Sequence, residues 1–124
     1  MQRCMLLSKI HRATVTDTAL HYEGSITIPR DVVEAARLLP GERVLVANLS
    51  TGERFTTYVM VGSEPGRFCL NGAAARLGAS GDRIIIMSFA WLDSREAETH
   101  RPRVVHMDEA NRIVRVEGPP GGGS

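Results

Sequence analysis

At 124 residues the chain is long enough for one domain with a modest core. Fifteen basic against fourteen acidic residues leave a net charge of +1, which argues against a nucleic-acid or membrane-surface protein, since both need a clustered basic footprint. Aromatic residues make up only 5% of the chain, too few for a platform that stacks single strands.

The two cysteines, Cys4 and Cys69, do not make a disulfide framework and read as free thiols of a reducing compartment. The apolar run at residues 4–7 ends before Lys9, too soon for a signal-peptide core. The longest apolar stretch, residues 84–92, is too short to span a bilayer. The expectation is a soluble, cytoplasmic protein with no membrane partner.

Residues 5–16 read as a strand on which Met5, Leu7, Lys9, His11, Ala13 and Val15 share one face. Lys9 and His11 then make either a solvated polar patch or a cationic pair beside an acidic ligand. The next punctuation is Gly24-Ser25, ordinary turn chemistry. The same dipeptide also carries a reactive option. A serine hydroxyl can attack the carbonyl of the residue before it and turn the amide into an ester, and a preceding glycine reaches the distorted backbone that this uphill shift needs.

Ile26-Thr27-Ile28 reads as a short strand, and Pro29 opens a helix over residues 30–39 whose apolar positions 32, 33, 36 and 39 fall on one face. Pro40-Gly41 ends it. Residues 44–49 and 54–61 read as strands joined by the turn Ser50-Thr51-Gly52-Glu53. On the second of these, Arg54, Thr56 and Tyr58 share a face and Phe55, Thr57 and Val59 take the other. Arg54 and Tyr58 stand about 13 Å apart along a regular strand, a span that a guanidinium and a phenol bridge over a small ligand.

Phe68-Cys69-Leu70 leads to Asn71-Gly72-Ala73-Ala74-Ala75, where small residues suit either close helix packing or backbone approach to an anion. Residues 84–92 read as a core strand, 94–99 as a helical turn, and 103–107 and 112–116 as two further strands, the last at an edge. The Gly/Pro tail over residues 118–124 reads as disordered. Many short strands with only short helices suggest a closed or nearly closed β-barrel. No metal-ligand spacing is present.

Four stretches in this order and spacing resemble the pyruvoyl-dependent aspartate decarboxylase family: Lys9-Ile10-His11-Arg12-Ala13-Thr14-Val15-Thr16, His21-Tyr22-Glu23-Gly24-Ser25, Arg54-Phe55-Thr56-Thr57-Tyr58 and Asn71-Gly72-Ala73-Ala74-Ala75. The resemblance runs to about residue 116. It implies a mainly β fold, a double-psi β-barrel with short helices, over a single domain of residues 1–117. It implies a homotetramer with sites between neighbouring subunits.

It also implies a proenzyme that cuts itself between Gly24 and Ser25 into residues 1–24 and 25–124. Ser25 would become a covalent pyruvoyl group that forms a Schiff base with L-aspartate, so no external cofactor is needed. The products would be β-alanine and CO2, the former feeding pantothenate and coenzyme A synthesis. Some relatives need an accessory protein to mature, so a maturation factor is a further expected partner.

By the same resemblance Arg54 holds a substrate carboxylate, a task that suits a planar guanidinium. Lys9, and after it His11, adds positive field. Tyr58 gives a proton to the substrate Cα, and Gly72, Ala73 and Ala74 line the substrate. Thr57 belongs to the family's site although alternation sets it opposite Arg54 and Tyr58. Either the strand is bulged there or Thr57 polarises the Gly24 carbonyl. Asn71 orients the bond to be cut and Tyr22 borders the pocket. A second resemblance, of residues 25–46 to swapped-hairpin DNA-binding domains, leaves Lys9, Arg54 and Tyr58 idle and meets a nearly neutral chain.

Overall fold

A computed structural model describes residues 1–119; the tail from residue 120 on, expected to be disordered, lies outside the described residues. The strands are β1 (Gln2–Thr14), β2 (Asp17–Ala19), β3 (Ser25–Pro29), β4 (Arg43–Asn48), β5 (Arg54–Gly62), β6 (Cys69–Asn71), β7 (Arg83–Asp93), β8 (Arg103–Met107) and β9 (Ile113–Glu117). Between them lie the helices α1 (Arg30–Ala36) and α2 (Ser94–Thr99) and a 3-10 turn at Gly72–Leu77. The fold is mainly β with short helices, and it is the double-psi barrel class that the resemblance implied.

Hydrogen-bonded neighbours run β2-β6-β3-β5-β4-β7-β1-β8-β9. β1 and β2, far apart in that order, are consecutive in the chain. At their junction the Val15 N–H donates to the Asp82 carbonyl at 2.8 Å and the Thr16 N–H to the Phe68 carbonyl at 2.9 Å. One side of the junction is thereby tied to the start of β7 and the other to the start of β6, so the sheet curls back on itself. This leaves β9 as the edge strand expected near residues 112–116.

The interior is built by alternation. Ile26 and Ile28, Val44 and Val46, and Ile84 and Ile86 are buried in successive pairs, because every second residue of a strand faces one side. Val59, Phe68 and Leu70 complete the core, and α1 covers it with Val32, Val33 and Ala36. β-branched side chains pack well on such a pleated surface, which is why these segments are strands. The hairpin turn is fixed as its residues suggest. Gly52 takes a φ of 82°, and Asn48 Oδ1 accepts the Ser50 N–H at 2.9 Å and the Thr51 N–H at 3.2 Å.

Three local expectations are corrected. β1 shifts register between Leu6 and Ser8 and again between Ile10 and Ala13, where Arg12 has a φ of 65°. Ala13 and Val15 therefore join Ile10 in the core, and they do not share the face of Lys9 and His11. α1 ends at Ala36 because Arg37 adopts a left-handed φ of 58°; this turns Leu38 inward and leaves Leu39 69% exposed. β7 is core only in its first half. Its pairing with β4 ends at Met87, and beyond it Trp91 is 65% exposed on a ribbon shared with β1 alone.

Asn48 also reaches out of the hairpin, since its Nδ2 donates to the Leu77 carbonyl at 3.1 Å and to Asp82 Oδ2 at 2.9 Å. It ties the hairpin to the 3-10 turn and to the loop before β7 from a buried position. Asn48→Ala should lower unfolding stability by about 2 kcal/mol or more, because it removes four hydrogen bonds made by one buried amide. Urea unfolding followed by circular dichroism measures this, and an unchanged midpoint would remove Asn48 as a structural hub.

Candidate active site

Ser25 is the first residue of β3 and its side chain is fully buried, whereas residues 21–24 before it are exposed. The Gly24–Ser25 peptide therefore sits where the chain passes from solvent into the barrel. Ser25 pairs with Asn71 in the antiparallel ladder of β3 and β6, which sets both side chains on one face. Asn71 Nδ2 donates to Ser25 Oγ at 2.9 Å and to Thr27 Oγ1 at 2.9 Å. Asn71 Oδ1 accepts from the Cys69 thiol at 3.2 Å. Every polar end of this buried amide is thus used. The Ser25 hydroxyl lies 3.3 Å from the Glu23 carbonyl oxygen and 3.0 Å from Met60 Sδ, two acceptors for its one hydrogen.

Gly72 presses on the other side of the same peptide. Its φ is 63°, and a Cβ there would lie 2.7 Å from both Cα and N of Gly24 and 2.8 Å from the Tyr22 carbonyl oxygen. Only a residue without a Cβ permits this backbone-on-backbone contact. A Cβ at Gly24 would instead meet nothing within 4 Å. The bond is flanked by a clamped face toward Gly72 and an open one toward solvent.

β5 brings the next residues. β3 and β5 are parallel with Ile26 beside Val59 and Thr27 beside Met60, and continuing that register sets Ser25 level with Tyr58. Tyr58 is 40% exposed and shares its face with the exposed Arg54. The β4–β5 ladder runs from Ala47–Arg54 to Arg43–Tyr58 without a shift, so the strand has no bulge at Thr57. Thr57 points to the opposite face from Arg54 and Tyr58, beside Val44, and the continued β3–β5 register sets it level with Gly24.

Of the backbone residues expected at the site, Gly72 and Ala74 are buried and Ala73 is exposed at the rim. The Tyr22 side chain is exposed, and its carbonyl is what meets Gly72. Lys9 and His11 are elsewhere. They stand on β1, whose ladder partners are β7 and β8 and not β3 or β6. His11 packs edge-on against His106, with ring centres 5.5 Å apart, and its buried Nδ1 has no hydrogen-bond partner. Burial, followed by the charges of Lys9, His106, Arg12 and Arg83, pushes the His11 pKa down. His106 in turn has Nε2 within 2.8 Å of the Glu117 carboxylate, an ion-pair distance without hydrogen-bond alignment.

Three neighbours of Ser25 were not evident from the sequence: Thr27, Met60 and Cys69. Each lies two residues from, or across a ladder from, a residue that was. The missing information was the pairing of β3 with β6, since both strands are too short to declare a register. A cavity of about 510 Å³ lies away from Ser25, near Leu7, Ala36, His100 and Arg103. Among the described residues no group of three His, Cys, Asp or Glu is placed to hold a metal ion, and no helix is long and apolar enough to cross a membrane.

Fold and site together define a small β-barrel built around a buried serine that follows an exposed glycine. The family model described as aspartate decarboxylase matches residues 1–114. A Syntrophus aciditrophicus protein named aspartate 1-decarboxylase is 55% identical over 114 residues, covering 91% of this chain and 98% of its own length. A protein of the same name from Pelotomaculum thermopropionicum is 56% identical over 113 residues, 90% of this chain and 86% of its own. Another from Dehalococcoides mccartyi is 49% identical over 114 residues, 91% and 92% of the two chains. The chain belongs to the aspartate decarboxylase family and is an enzyme of that carboxy-lyase class.

The Gly72 contact makes a direct prediction. Gly72→Ala forces an L side chain into a left-handed backbone and into Gly24, so it should cost about 2 kcal/mol or more or displace residues 22–24. Thermal melting with limited proteolysis at this segment reads both outcomes. An unchanged melt and unchanged protection would show that the contact is not tight.

Proposed function

We propose that the chain is a proenzyme that cuts its own Gly24–Ser25 bond and then decarboxylates L-aspartate to β-alanine and CO2. The observation that carries this reading is the burial of Ser25 Oγ on the Asn71 amide, one bond away from a glycine clamped by Gly72. The family match and the names of the relatives support aspartate as the substrate.

The cleavage proceeds through residues of this chain. Ser25 Oγ adds to the Gly24 carbonyl carbon and the C–N bond breaks, which leaves an ester and a free amine on residue 25. Thr57, level with Gly24 and on the opposite face from Tyr58, is suited to polarise that carbonyl. Loss of the Cα proton expels the Gly24 carboxylate and ends fragment 1–24; water then replaces the amine, which leaves as ammonia. Before cleavage Asn71 Nδ2 donates to Ser25 Oγ; once that oxygen leaves with Gly24, the amide would be free to donate to a carbonyl oxygen of the pyruvoyl group at position 25. Once formed, this group supplies the electron sink that loss of CO2 from an amino acid requires.

The remaining residues bind and protonate. Arg54 takes a substrate carboxylate in a two-pronged hydrogen bond. Tyr58, level with residue 25, delivers the proton that replaces CO2 at Cα, and a phenol with an ordinary pKa of about 10 is acidic enough for a carbanion. Gly72, Ala73 and Ala74 offer backbone groups at the substrate's edge, and Tyr22 borders the opening. Lys9 and His11, on β1, add positive field for a dianionic substrate in a homotetramer whose sites lie between neighbouring subunits, the assembly that the family resemblance implies. The exposed Phe89 and Trp91 are apolar surface of the kind such an assembly covers. We assign the enzyme to the cytoplasm and to the supply of β-alanine for pantothenate, with a maturation factor required only where unaided cleavage is slow.

Ser25→Ala should stay full length, remain folded and release no CO2 from aspartate. Gel electrophoresis and a CO2-release assay read this, and retained decarboxylation would refute the mechanism. Tyr58→Phe should be cut normally yet turn over roughly 100-fold more slowly, as expected for loss of a positioned acid, with KM little changed. Steady-state kinetics on the fully cleaved variant decide it, and an unaltered kcat would remove the acid role from Tyr58.

A further inference from the structure

An amide side chain has two ends of nearly equal shape, and at Asn71 the choice between them matters. Ser25 and Thr27 are both hydroxyls, which donate or accept equally well, so they do not determine which end of Asn71 faces them. The third partner is a thiol, and its contact in the structure is with the oxygen end. Cys69 is fully buried and its sulfur lies 3.2 Å from Asn71 Oδ1. A thiol is a weak donor and a weak acceptor, but against the carbonyl end of an amide only its hydrogen makes a bond.

We propose that Cys69 is a positioning residue for chain cleavage: its S–H holds the Asn71 oxygen, and so directs the amide hydrogens onto Ser25 Oγ and Thr27 Oγ1. This rests on the reading that the Ser25 hydroxyl cuts the Gly24–Ser25 bond. Burial pushes the Cys69 thiol up from its ordinary value of 9.0, so the hydrogen is retained at neutral pH. Two other acceptors lie near it. The Leu70 carbonyl is 3.9 Å away. Asp17, which pairs with Cys69 from β2 and after burial adds to the rise of its pKa, already accepts Arg67 Nη2 at 2.7 Å, Arg67 Nε at 3.2 Å and the Thr16 hydroxyl at 2.7 Å.

With the amide in this sense, Ser25 Oγ accepts from Asn71 and sends its own hydrogen toward Glu23 or Met60. With the amide reversed, Asn71 Oδ1 would capture the Ser25 hydrogen, the proton that must leave when Oγ attacks. The donor that steadies Oγ would be lost at the same time. Cys69 acts only through Asn71 and touches neither the bond nor the substrate.

The test is the first-order rate of scission of freshly purified precursor, with thermal melting of each variant. Cys69→Ser keeps a donor and should cut within about threefold of the wild type. Cys69→Ala and Cys69→Val lack one and should cut roughly tenfold more slowly, the loss expected for one orienting hydrogen bond. In an Asn71→Ala background, Cys69→Ala should add no further slowing. Wild-type rates for the Ala and Val variants would overturn the proposal. So would a Ser variant as slow as Ala, which would indicate packing alone. If Ala does not fold, the contrast of Ser with Val decides in the same way. A wild-type chain that is never cut would instead refute the cleavage reading beneath it, a result distinct from a chain that cuts regardless of residue 69.

Discussion

When β3 and β6 pair with Ser25 opposite Asn71, they set Ser25, Thr27, Cys69 and Asn71 on one face and connect them through a single amide. A buried hydroxyl left without partners would cost on the order of 1–3 kcal/mol, so this network both makes the burial of Ser25 tolerable and fixes where its oxygen lies. The same pairing delivers Gly72, the next residue, onto the backbone of Gly24. One register therefore sets the Ser25 hydroxyl and packs Gly72 on the peptide beside it. A slip by one residue would turn Asn71 to the other face and separate them.

The barrel makes that register dependable. β3 and β6 are short, but β3 lies between β6 and β5, and its Ile26 and Ile28 anchor it in the core. The β1–β2 junction closes the sheet next to β6 through the Phe68 carbonyl. Ser25 and Asn71 are thus held by paired strands, while Lys9 and His11 lie on β1, which pairs with neither β3 nor β6.

Much of this was legible in the sequence. The turn at residues 50–53, the alternating strands and the helix opened by Pro29 follow from glycine, proline and periodicity, and each expected element appears within a few residues of its place, whereas β2 was not expected. The Gly24-Ser25 dipeptide and the Asn71-Gly72 step stood out as motifs, and the structure sets them against each other. What failed did so where the backbone departs from regularity. The left-handed Arg12 and Arg37 reset the faces of β1 and ended α1 early, and non-glycine residues give no warning of such a φ. Trp91 and Phe89 read as core because hydrophobicity does not reveal that a strand overhangs its barrel. Thr57 was ambiguous until the unbroken β4–β5 ladder excluded a bulge. Cys69 was read only as a free thiol, because its partner is set by a ladder that three residues cannot announce.

The central claim is that Ser25 cuts the chain before it and is itself converted. An intact mass spectrum of the purified protein under denaturing conditions, taken before and after incubation, tests it most directly. The account predicts two species, residues 1–24 and 25–124, the second lighter by one ammonia than a fragment beginning with serine. A single uncut mass after long incubation, or a second fragment that keeps an unmodified serine, would contradict it.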